Sequence, residues 1–91
     1  MLLYVREEDE EVFDGVMLSK PTKTALLTSL GEKYGVKVDK VKKFYKRSKK
    51  GILVKIDDNI IKHYSHEDTF CIKCTDEADG MIKIVLSEVE N

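Results

Sequence analysis

Apolar and polar residues follow two rhythms along this chain, and the slower one marks its single long helix. Between Pro21 and Gly35, Leu26, Leu27, Leu30 and Tyr34 fall at i, i+1, i+4 and i+8, one stripe with a helical period. Lys23, Thr28, Ser29, Glu32 and Lys33 fill the other side. Thr22 stands where an N-cap hydroxyl would accept from the first turn, and Gly35 where a left-handed residue would end it. A lone helix of this length is marginal in water, so its stripe must be buried against something else.

Elsewhere the period is two. Leu2–Arg6 reads as a strand, Glu7–Glu11 as a charged turn and Val12–Leu18 as the return strand of an antiparallel hairpin. Val36–Lys40 is a loop, Val41–Ser48 a third strand with Phe44 and Tyr45 set among lysines, and Ile52–Ile56 a short fourth. Asp57-Asp58-Asn59 offers cap chemistry for one helical turn over Ile60–Tyr64. Thr69–Thr75 is a fifth strand, with Phe70, Ile72 and Cys74 on one face and Cys71 and Lys73 on the other. After a polar turn, Met81–Val89 is a sixth, with Ile82, Ile84 and Leu86 aligned. Hairpin, helix and further strands make an α+β fold, a mixed sheet with one long helix on one face. Both faces of the hairpin are apolar, yet one helix covers only one, so a second cover is expected.

Length and charge sharpen this picture. Ninety-one residues make one domain, 1–91, whose core is expected within 2–75 with an additional strand at 81–89. No apolar run approaches the ~20 residues of a membrane span, and no signal-peptide pattern opens the chain. Two cysteines make no disulfide framework, which fits a cytosolic-type reducing environment. The formal charge of −1 hides a strong segregation. Residues 6–14 carry six acids and one base, 37–55 nine bases and one acid, and 76–90 five acids and one base. Such a dipolar chain has either well-solvated ends or ends that steer partners and further copies.

Three groups of residues invite chemistry. His63, His66, Cys71 and Cys74 form H-x2-H-x4-C-x2-C, zinc-like on paper. On a strand, residues three apart point to opposite faces, so neither a shared metal nor a disulfide between Cys71 and Cys74 is expected. Cys74 should be a small buried residue and Cys71 partly exposed. Asp57-Asp58-Asn59 lacks the alternating ligands of a calcium loop. Lys43, Tyr45, Arg47 and Lys73 should share the outer face as a basic patch. It is a solvated edge, a weak sequence-independent contact to nucleic acid or an acidic partner, or part of a nuclear-import signal. No nucleophile–base pair, phosphate loop or paired-carboxylate cleft is present, so neither an enzyme nor a cofactor or small-molecule substrate is expected.

The order of elements over residues 2–75 resembles ubiquitin, with MLLYVRE, PTKTALLTSLGEKYG and HYSHEDTFCIKC in corresponding places. A β-grasp fold is what that resemblance implies. There is no terminal Gly-Gly for conjugation, and the sixth strand is additional. EEVFDGVMLSKPT, the helix ending in EKYG, and KFYKRSKKGILVKIDDNIIKHYSHEDTF are similar to the carboxyl-terminal segment of the grainyhead family of transcription factors. The resemblance implies a nuclear, non-catalytic module that dimerises, as homodimer or paralogue heterodimer, while a separate upstream domain reads DNA. Sequence-specific DNA contact is therefore not expected here, and a monomeric ubiquitin-like adaptor is a further alternative. With Phe13 and Met17 assigned to the core, the expected twofold interface comprises Leu2, Tyr4, Val16, Leu18, Ile82, Ile84 and Leu86. In that scheme the last strand pairs with the hairpin edge of its own chain or of a partner, and the Glu7–Glu11 turns lie at the rim.

Overall fold

The computed structural model describes residues 1–64 and 66–89; Ser65, Asn91 and the last acid of the C-terminal run, Glu90, lie outside the described residues. Six strands form one sheet: β1 (Leu2–Glu7), β2 (Asp14–Met17), β3 (Val41–Arg47), β4 (Leu53–Lys55), β5 (Thr69–Asp76) and β6 (Ile82–Glu88). Helix α1 (Lys23–Tyr34) follows the hairpin, and the short α2 (Asp58–Lys62) follows β4.

The caps form as the residues dictate. Thr22 Oγ1 accepts from the Ala25 N–H at 3.1 Å, and Gly35 takes φ 69° beyond the last turn. Asp57 caps α2 through the Ile60 N–H at 2.9 Å, and Asp58 reaches across to the Lys23 N–H at 2.8 Å, so α2 helps to cap α1.

Strand order is β2-β1-β5-β6-β3-β4. This is the β-grasp arrangement with one correction to the expected topology. The last strand adds nothing to the hairpin edge. It runs through the middle, antiparallel to β5 and parallel to β3. The two ends of the sheet therefore meet only through β6. Its sequence suits that place, because Ile84, Val85 and Leu86 are consecutive buried apolar residues at the centre of the strand.

The core lies between the sheet and α1. Leu3, Val5, Leu26, Leu30, Ile61, Ile84 and Leu86 are fully buried, with Phe70, Val16 and Leu18 nearly so. On β1 the faces are as expected, with Leu3 and Val5 inward, but on β2 they are reversed: Val16 and Leu18 point inward, while Met17 is 64% exposed. Leu3 pairs with Val16, which fixes that register. The helix supplies three leucines of its own, so the space beside β2 takes a valine rather than a larger side chain. Phe13 precedes β2 and lies under the Arg6 guanidinium, 5.7 Å from its ring centroid.

Gly31 is a point of close approach. A Cβ there would stand 2.8 Å from Val38 Cγ2 and 2.9 Å from the Val36 carbonyl oxygen, while the Gly35 and Val36 N–H groups both converge on the Gly31 carbonyl. Alanine normally gains about 1 kcal/mol over glycine inside a helix. Here overpacking against backbone, about 1–3 kcal/mol, outweighs that gain. Gly31→Ala is expected to destabilise the domain by about 1 kcal/mol in urea unfolding; a stabilised variant would contradict the close contact.

Candidate interaction surfaces

The helix covers one face of the sheet and leaves the other open. Strand alternation places Leu2, Tyr4 and Arg6 of β1, Gly15 and Met17 of β2, and Cys71, Lys73 and Thr75 of β5 on the open face. The register adds Lys83, Val85 and Ser87 of β6, Lys43, Tyr45 and Arg47 of β3, and Leu53 and Lys55 of β4. Lys73, Val85, Tyr45 and Lys55 stand side by side in one row across four strands. The basic patch expected from sequence, Lys43, Tyr45, Arg47 and Lys73, is thus brought onto one face, joined by Lys55, Lys83 and Arg6.

Charges on the strands are sorted by face. The outward positions carry six cations, Arg6, Lys43, Arg47, Lys55, Lys73 and Lys83, and no acid. The strand acids Glu7, Asp14, Asp76 and Glu88 all occupy helix-side rows. Glu88 there pairs with Lys46, whose hydrogen bond holds the carboxyl below its usual range. Two outward lysines reach acids in the loops: Lys43 to Glu77 at 3.3 Å and Lys73 to Glu8 at 3.9 Å. Arg6 instead donates to the carbonyls of Glu7, Glu8 and Glu10, tying down the hairpin loop.

The end of the open face on β1 and β2 has a different character. Leu2 and Tyr4 are half-buried, and Met17 and Val12 are well exposed. The Tyr4 hydroxyl donates to Glu67 at 2.9 Å, which raises its pKa. The outer edge of β2 has no strand partner. Leu18 and Met1 exchange backbone hydrogen bonds, so alternation turns the N–H and C=O of Met17 and Gly15 away from β1. Ser29 Oγ covers the Met17 carbonyl at 3.0 Å, and a groove lined by Gly15, Met17, Ser29, Glu32 and Lys33 runs between the edge and α1.

Other expected site residues lie elsewhere. Val16, Leu18, Ile84 and Leu86 are 0–2% exposed in the core, and Ile82 is half-buried against it. The first four of these cannot face a partner while the domain is folded as described, and Ile82 is only partly accessible. Assigning Phe13 and Met17 to the core puts Val16 and Leu18 outside, and pairing β6 at the hairpin edge puts Ile82, Ile84 and Leu86 there; neither holds in this sheet. The cysteines are free and on opposite faces, but Cys74 is exposed, since α1 ends at Tyr34 before covering it. Partial desolvation by the residues around its sulfur, then Glu7 and Asp76, push its thiol pKa up. His66 Nδ1 accepts the Leu2 N–H at 3.2 Å, and His63 is exposed at the end of α2. The zinc-like spacing does not become a cluster: among the described residues, the close metal-capable side chains are the exposed Glu7, Asp9 and Glu10 of the hairpin loop.

Comparison with known proteins identifies the family of the chain. Residues 1–88 match the family model described as "GRHL1-like, C-terminal domain". The chain belongs to the grainyhead-like family of transcription factors. It is 55% identical over 89 residues to the grainyhead-like protein 2 homolog of Xenopus tropicalis, covering 98% of this chain and 14% of that protein. The human grainyhead-like protein 1 homolog is 52% identical over 98% of this chain and 14% of its own length. The grainyhead-like protein 3 homolog of Xenopus tropicalis is 45% identical, again over 98% of the chain and 15% of the protein. The chain thus spans about one seventh of these grainyhead-like relatives. No solved structure matches it. No helix among the described residues is long and apolar enough to cross a membrane.

Proposed function

We propose that this grainyhead-like domain is a non-catalytic dimerisation module of a nuclear transcription factor, pairing two chains so that DNA-binding domains elsewhere act together. Tethering makes the second DNA contact intramolecular, and avidity gains of ~10²–10⁴ follow from effective concentration alone. The observation that carries the proposal is the outer edge of β2, which has no strand partner and is flanked by exposed Met17 and Val12. Such an edge is a template for strand addition.

Charge decides between this edge and the open face as the place where copies meet. Stacking the open face on itself would bury six cations from each copy against one another, at a desolvation cost that apolar contact between Val85 and Tyr45 cannot offset. Antiparallel pairing of β2 with β2 of a second copy avoids this. It places the two Glu7–Glu11 loops at opposite ends of the interface and the two basic regions at the far ends of a continuous sheet.

Met17→Lys tests it, because lysine at an exposed edge position opposes pairing without entering the core. In sedimentation over a concentration series the parent chain is expected to dimerise and the variant to dissociate at least about tenfold more readily, with an unchanged circular dichroism spectrum. A monomeric parent, or a variant that sediments like it, would place the function or the interface elsewhere.

A further inference from the structure

The sorting of strand charges by face has no structural need. Outward lysines could equally pair with outward acids across neighbouring strands, where opposite charges stabilise and like charges oppose each other. Instead, Lys83 stands directly beside Lys43, and no carboxylate among the described residues is within ion-pair distance of Lys55, Lys83, Arg6 or Arg47. The pairs made by Lys43 and Lys73 are exposed and exchange readily with another anion. The open face is therefore incomplete without an anionic partner.

We propose that the open face of β5, β6, β3 and β4 binds the phosphate backbone of duplex DNA, without regard to sequence. Three features favour a phosphate backbone over an acidic protein. Lys73 and Lys55 close the two ends of a row spanning about 14 Å at ~4.8 Å per strand, so the charges spread over a surface rather than converge on one point. The depressions by Lys43 and Met81 and by Lys49 and Phe70 lie at the ends of the strands rather than at the row of Tyr45 and Val85. A protein partner would need pockets for apolar anchors there, whereas a regular array of phosphates needs only spread cations. The outward strand positions also carry no Asn or Gln, the side chains that read adenine, and their lysines rise from an apolar floor of Tyr45 and Val85. Contact of this kind positions a protein on DNA and specifies nothing.

The site does not depend on dimerisation, but the two are compatible in geometry. Antiparallel pairing across β2 has its twofold axis perpendicular to the sheet, so both basic regions would face the same side. One duplex could then lie across both.

The test is fluorescence anisotropy with a labelled duplex of about 20 base pairs of arbitrary sequence, from about 50 to 200 mM salt. Binding is expected at the low end, with a log–log salt slope of about −3 to −4, as for three to five neutralised phosphates. Scrambling the sequence should leave it unchanged. Lys55→Glu with Lys83→Glu is expected to weaken binding tenfold or more and to flatten the slope by about two. Lys23→Glu with Lys62→Glu, on exposed positions of α1 and α2, should change it less than about twofold. If the first pair fails to fold, Lys55→Gln with Lys73→Gln replaces it and should flatten the slope similarly. Absence of binding at about 50 mM salt, or equal loss in the helix variant, overturns the proposal. So does tighter binding of a polyglutamate peptide than of the duplex, which would assign the face to an acidic protein.

Discussion

Ile84→Asp is expected to abolish folding rather than to release a folded monomer. Ile84 is fully buried in β6, paired with Cys74 of β5 on one side and Phe44 of β3 on the other. A carboxylate there has no partner, because the one strand cation shown pairing on that face, Lys46, is held by Glu88. An isolated buried charge is among the costliest single changes, more than about 4 kcal/mol. Domains of this size hold about 5–14 kcal/mol in total, so most of the stability goes. The loss corresponds to a fall in melting temperature of roughly 20 °C or more. Circular dichroism on heating, with the amide spectrum at low temperature, reads the outcome. A dispersed spectrum and a near-parental melt would mean that β6 lies at the surface after all. Ile84→Val, which removes one methylene, should cost only about 1 kcal/mol.

Phe70→Ala comes next in size. Phe70 is 1% exposed on β5, beside Val5 of β1, and its ring packs on Tyr64 with centroids 5.1 Å apart. Truncation leaves a cavity costing about 3–5 kcal/mol, within which the aromatic contact accounts for about 0.5–1.5. Leu30→Ala, on the helix side of the same core, should cost about 2–5 kcal/mol. The urea midpoint should fall in both variants while the slope of stability against denaturant stays unchanged, marking a lost contact rather than a changed unfolded state. A midpoint equal to the parent's would place either residue outside the core.

How much of this was legible in the sequence follows from which signals are local. Thr22, the leucine stripe and Gly35 interact within one helix, so both ends and the buried face of α1 could be read directly. The parity of Lys43, Tyr45 and Arg47 is likewise local to β3, and they do share a face. The hairpin's inner face was not local. Val16 and Phe13 are both apolar, and only the register against Leu3 and the space left by α1 choose between them. Position within the sheet was the least local of all. Nothing in β6 alone says which strands flank it, though the apolar run Ile84-Val85-Leu86 was a signal for a central place. Once β6 is central, Ile84 and Leu86 leave the list of surface residues, and Lys83 and Lys55 join the basic face.

The central β6 also sets the order in which this fold can be made. Before Ile82–Glu88 is in place, the β2-β1-β5 half and the β3-β4 half share no backbone hydrogen bonds, and β5 and β3 each present an unpaired inner edge. The strand that joins them is the last of the six to be synthesised. On the ribosome, the earlier strands must therefore wait with open edges until it emerges, a period in which wrong strand pairings compete. The contact that completes the sheet, β6 against β3, spans about forty residues of chain, from Val41 to Ile82 at its start. High contact order of this kind slows folding.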